Sequence, residues 1–173
     1  MMKKHPAAEH LLARLITVLS QEMRMYNELL LVLRKKQSSI IEGQLEGLKE
    51  TLAQEQAILK ESEAVTRARE SSLKEVSEAL GREDTIQTLG QLIEVVESTY
   101  AERLSDIHRS LQRIVQEVIL TNEENRYLLD YSIKFVREAA RELIKSSEQF
   151  PVYSATGKGQ GSQSGSSLIE GKI

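Results

Sequence analysis

Between Pro6 and Pro151 the chain has no proline, and across that span its apolar residues recur in steps of three and four. Proline breaks a helix by removing a backbone donor and clashing with the preceding turn, so nothing in this span forbids helix on that ground. Pro6 suits a helix start and Pro151 a stop. From Leu12 the pattern runs Leu12, Ile16, Leu19, Met23, Tyr26, Leu30, Leu33 and, past the polar Gln37, Ile40. This is a coiled-coil-like seam. In Ile41-Glu42-Gly43-Gln44, Gly43 can take the left-handed conformation that ends a helix, which predicts a tight antiparallel turn. A second helix carries Leu45, Leu48, Leu52 and Leu59 at its start and Leu73, Val76 and Leu80 at its end. Its middle is thin: between Lys60 and Ser72 only Ala64, Val65 and Ala68 are apolar, and close helix approach through alanine is the expectation there. Gly81 ends this helix and Asp84 offers the next N-cap.

After Asp84 the stripe Ile86, Leu89, Ile93, Val96, Tyr100, Leu104, Ile107, Leu111, Ile114, Val118 is almost unbroken. One helix or two fit it equally, since Gly90 weakens the pattern and Thr99 with Glu102 has the spacing of a capping box, while the same four residues also fit a helix interior. The seam continues through Thr121, Asn125, Leu128, Ser132 and Phe135 to about Ser147. From Pro151 the composition changes: five of the nine glycines fall in the last 17 residues, interleaved with serine. Such a segment buries too little surface to order itself. The sequence therefore predicts an all-α protein, an antiparallel bundle of three long coiled-coil-like helices with room for a short fourth, the last helix being longest and overhanging. Residues 1–150 form the bundle domain and 151–173 a flexible Gly/Ser-rich tail.

Composition narrows the function. Residues are 40% hydrophobic, 28% charged and only 4% aromatic, without tryptophan, so the core must be built from Leu, Ile, Val and Ala. The formal net charge is −3 with Lys and Arg dispersed, which leaves no basic face for nucleic acid. There is no cysteine and no apolar run of 18 residues, and Arg14 and Glu22 stand where a signal-peptide core would lie. A cytoplasmic protein without membrane insertion is expected. His5, His10 and His108 make no Glu-x-x-His pair of the kind used by di-iron bundles, and Gly157, Gly159 and Gly161 lack the strand and helix of a phosphate loop. Neither enzyme activity, a metal site nor a cofactor is expected.

Length adds a functional argument. The first two helices come to about 50 Å each, whereas Thr99 to Ser147 alone comes to about 73 Å at 1.5 Å per residue. The excess holds Leu128, Leu129, Tyr131, Ile133, Phe135 and Val136, which occupy more than one helical face. Burying each large side chain is worth about 1.5 to 3 kcal/mol. They can fold back on the hairpin, dimerise, or receive an apolar helix from another protein. Asn125 and Ser132, on the seam, would set register.

The run Asn122-x-x-Asn125-x-x-Leu128-Leu129-x-x-Ser132-Ile133-x-Phe135, followed later by Val152-Tyr153-Ser154-Ala155-Thr156-Gly157, resembles the C-terminal signature of FlgN-like flagellar export chaperones. Upstream, Tyr26-x-x-Leu29-Leu30-x-x-Leu33, Lys35-Lys36 and Ile41-Glu42-Gly43-Gln44 look like that family's first hairpin, although an acidic residue is more usual than Gln44. Leu48-x-x-x-Leu52-x-x-Glu55-x-x-x-Leu59 fits its second helix, so the similarity spans roughly residues 8 to 157. The resemblance implies an all-helical chaperone without nucleotide. It would bind the helical C-terminal regions of hook-filament junction proteins, prevent their early assembly and deliver them to the type III export gate. On this reading the client docks on Leu128, Leu129, Ile133, Phe135 and Val136, with Asn122, Asn125 and Ser132 alongside. Tyr153 contacts the export gate, and the free protein is a monomer. The competing reading is a homotypic coiled-coil scaffold that uses the same stripe to self-associate.

Overall fold

The structure, a computed structural model, describes residues 6–82 and 86–149. Asp84, Pro151, Tyr153 and the Gly/Ser-rich segment lie outside the described residues. Four helices follow one another: α1 (Pro6–Ile41), α2 (Leu45–Ala79), α3 (Leu89–Val95) and α4 (Ser98–Gln149). The chain divides into two compact units, Met1–Tyr131 and Ser132–Ile173, with the boundary inside α4.

Two glycines close the long helices. Gly43 and Gly81 have φ of 68° and 63°, the left-handed region that side chains bearing a Cβ avoid. At each, the following residue's N–H reaches back to a carbonyl near the helix end, Gln44 to Ser39 at 2.9 Å and Arg82 to Ser77 at 3.0 Å. The glycine's own N–H bonds Ile40 or Glu78, which completes a Schellman motif at both ends. Gly43 thereby turns the chain, and α2 returns antiparallel to α1. The ion pairs follow that direction: Arg14 with Glu75, Glu22 with Arg69, Lys36 with Glu55. Advancing along α1 means retreating along α2.

The third region is two helices, α3 and α4. The capping box lies at Thr88 and Gln91, where Thr88 Oγ1 accepts from the Gln91 N–H and the Gln91 side chain accepts from the Thr88 N–H. Thr99 and Glu102, which have the same spacing, sit inside the first turns of α4, the helix-interior alternative. The short α3 ends at Val96, whose backbone is extended at φ −88°, ψ 163°. Two adjacent β-branched residues, Val95 and Val96, lower helix propensity at that point. Leu92, completely buried, anchors α3.

Within the first unit the core is two clusters. One joins Leu12, Leu15, Ile16 and Leu19 of α1 to Val76, Ile86, Leu92, Leu104 and Leu111. The other joins Met25, Leu29, Val32 and Leu33 to Ile58, with Val65 and Val118 packed against it. α4 runs parallel to α1, as Arg34 with Glu117 and Gln37 with Glu124 show.

In its second half α2 buries Val76 and packs Leu73 and Leu80 against the core, as expected, but in its first half the buried face differs from the expected seam. Leu45, Leu52 and Leu59 are exposed, whereas Thr51, Ile58, Ser72, Val76 and Ser77 are buried. Over that first half a rotation of one residue, about 100°, separates the two stripes. The leucines mark the strongest apolar spacing, but the buried face also takes small hydroxyl residues: Thr51 Oγ1 donates to the Leu48 carbonyl and Ser77 Oγ bonds the Leu73 and Ile86 carbonyls, whereas Ser72 Oγ has no partner. The thin middle is not closed by alanine either. Ala64 and Ala68 are exposed, and the Glu22–Arg69 pair with buried Ser72 fills that level.

Neighbouring residues test the register. Ile58 is 7% exposed and Leu59 is 50% exposed. Ile58→Ala should cost about 2 to 5 kcal/mol in urea unfolding, and Leu59→Ala no more than about 0.5 kcal/mol. Equal losses would mean that the leucine stripe is core after all.

Candidate functional site

The residues expected to hold a client divide between the two units. In the first, Asn122 is exposed, Leu128 and Leu129 are half-buried, and Asn125 is fully buried. The Asn125 Nδ2 amide donates to the Leu33 carbonyl at 2.8 Å, while its Oδ1 has no hydrogen-bond partner. Asn125 therefore lies inside the bundle, facing α1, with its amide already engaged. In the second unit Ser132 is half-buried, and Ile133, Phe135 and Val136 are 47%, 62% and 63% exposed. Leu143 and Ile144 continue this exposure at 70% and 60%. Sequence reasoning left those two out, although Leu143 follows Val136 by one heptad.

Helical position explains the contrast. Leu104, Leu111 and Asn125 fall on one face of α4 and are buried, and Ser132 and Ala139 continue the same heptad position. What changes along the helix is the cover. A helix that is apolar on one face and uncovered there can lay that face against another amphipathic helix.

A second feature belongs to the first unit. A cleft of about 480 Å³ is lined by Glu22, Tyr26, Arg69, Leu73, Thr88 and His108, among others. Glu22 is nearly buried, with its Oε1 3.3 Å from the Arg69 Nε, a separation that gives charge attraction without an aligned hydrogen bond. Burial pushes the Glu22 carboxyl above its usual range, and the Arg69 guanidinium offsets this only in part. Tyr26 is also raised, first by burial and then by the neighbouring Glu22 charge. The signal for Glu22 was its place in the α1 stripe, three residues after Leu19 and four before Tyr26.

A family model described as FlgN protein matches residues 1–161. The chain belongs to the FlgN family. Members of the FlgN family are flagellar type III export chaperones, and they bind flagellar hook-associated proteins. No curated protein and no solved structure matches the chain. Among the described residues no helix is long and apolar enough to cross a membrane.

Two expected outcomes follow from the polar residues. A carboxyl whose folded pKa is raised binds its proton more tightly in the folded chain, so its contribution to stability is full below the ordinary carboxylate pKa and is lost as pH rises through the raised value. Glu22→Gln, which mimics the neutral form, should therefore melt higher than the parent at pH 7.5, with the gap closing towards pH 4. A gap that widens in acid would reverse the assignment. Asn125→Leu should raise the urea midpoint by removing an unsatisfied buried oxygen, and should broaden the oligomer distribution in light scattering, because apolar seams tolerate shifted register. A variant that is both less stable and strictly monomeric would contradict this.

Proposed function

We propose that the chain is a cytoplasmic chaperone that holds the C-terminal helical regions of hook-filament junction proteins, keeps them from assembling early and delivers them to the export gate. The observation that carries the reading is the run of exposed apolar side chains Ile133, Phe135, Val136 and Leu143 in the second unit. A client helix would bury them, at about 25 cal/mol per Å² of apolar surface. Leu128, Leu129 and Ser132, half-buried, extend the same apolar helix, and Asn122 offers its exposed amide to polar groups of the client. The free protein is a monomer on this reading, and Tyr153 serves as an aromatic anchor for the gate. Exposed aromatic anchors contribute strongly to docking because they bring large area at low entropy cost.

Ile133→Asp and Val136→Asp should each weaken binding of a hook-associated protein at least tenfold, equivalent to about 1.4 kcal/mol, with the melting temperature almost unchanged because neither side chain is buried. Tyr153→Ala should keep client affinity within about twofold, or about 0.4 kcal/mol, and reduce association with the gate and client secretion. Client binding that survives both aspartates would remove this face from the site.

A further inference from the structure

The polar residues that border the exposed face are arranged unevenly. At about 100° of rotation per residue, Ile133, Val136, Ala140 and Leu143 form a seam in steps of three and four, with Ile144 at one edge. Past that edge come Arg137 and Arg141, then Lys134 and Lys145, all exposed. Along the opposite edge lie Ser132, Ala139 and Ser146, small side chains spaced seven apart, then Phe135, and no cation. The two carboxylates, Glu138 and Glu142, are on the far side of the helix, beyond the cations. Glu142 is taken by Lys145 at 2.8 Å. Among the described residues Lys134, Arg137 and Arg141 have no ion-pair partner.

A helix laid on this seam draws Arg137 and Arg141 partly out of water. An unpaired charge that loses solvent costs free energy, and a facing carboxylate offsets the loss through charge-assisted bonds to the guanidinium fork. A facing lysine adds repulsion instead. On the other edge the small residues let the incoming helix approach closely.

We propose that the occupant of this face is an amphipathic helix whose apolar seam is edged, on one side, by Asp or Glu residues that meet Arg137 and Arg141. The inference rests on the reading of this face as the client-binding surface and adds what the client must carry. The one-sided charge also fixes which edge of the incoming helix lies next to the arginines, since a helix rotated the other way leaves its carboxylates against serine and alanine.

The test titrates the full chain with three helical peptides that share one leucine seam and carry Glu, Gln or Lys along one edge. In parallel, binding of a hook-associated protein is measured to the parent and to Ile133→Asp. The Glu peptide should bind at least tenfold more tightly than the Lys peptide at low salt, and the gap should shrink at high salt as screening shortens the reach of the charges. Arg137→Glu combined with Arg141→Glu should reverse the order while circular dichroism is unchanged. Equal affinities, an order insensitive to charge reversal, failure of every peptide to bind, or a homodimer through this face that the peptides do not dissociate would each overturn the proposal. If the hook-associated protein binds and Ile133→Asp abolishes it while the peptides bind alike, the charge inference alone fails. If Ile133→Asp binds the hook-associated protein as tightly as the parent, the client reading itself fails.

Discussion

Burial of α1 is the constraint on which the rest of the first unit depends. From Ala8 to Ile40 its buried residues cover more than half the helix circumference, and they supply four of the nine buried members of one apolar cluster and four of the five of the other. A long helix in water gains little from its own hydrogen bonds, and its stability comes from the face it packs. α1 packs two. One receives α2 through the antiparallel turn at Gly43, and the other receives α4 in parallel. Neither α2 nor α4 has so broad a buried face, so each is held principally by what α1 presents to it.

Apolar seams with a three-and-four period fit together almost as well after a slip of one heptad, so position along the helices has to come from polar contacts. Lys36 and Glu55, at 2.8 Å and mostly buried, tie the upper hairpin at one level. Glu22 and Arg69 tie it lower down and divide the core into its two clusters. Asn125, through the Leu33 carbonyl, does the same for α4. A buried pair of this kind is weak evidence of net stabilisation, because desolvation costs about as much as attraction returns. Its effect is to penalise every register in which one partner is left alone.

The functional consequence is a helix whose period continues while its cover does not. Up to Asn125 the seam of α4 is buried. From Tyr131 on, its large apolar side chains are open to solvent. The chain belongs to a chaperone family that binds flagellar hook-associated proteins, and several large apolar side chains exposed together commonly mark an interaction surface. Exposed Arg137 and Arg141 border that face on one edge, and the small side chains of Ser132 and Ala139 on the other.

The sequence by itself determined the helices and most of their ends. Freedom from proline, the three-and-four period, and glycine at 43 and 81 are local properties, and the left-handed glycine conformations follow from steric demands within a few residues. The Thr88-x-x-Gln91 box is equally local, but Thr99 with Glu102 has the same spacing, and the spacing rule does not say which of two matches caps a helix. The resemblance carried by Asn122 to Phe135 pointed to the family before any coordinates. What only the tertiary structure decided was which stripe faces what. Leu45, Leu52 and Leu59 have the better apolar spacing, yet Thr51, Ile58 and Ser72 are buried. Asn125 reads as a groove residue, yet its amide is spent on Leu33. Periodicity reports that a helix has an apolar face. Whether that face is covered depends on residues distant in the chain, and for α4 the cover runs out within the helix itself.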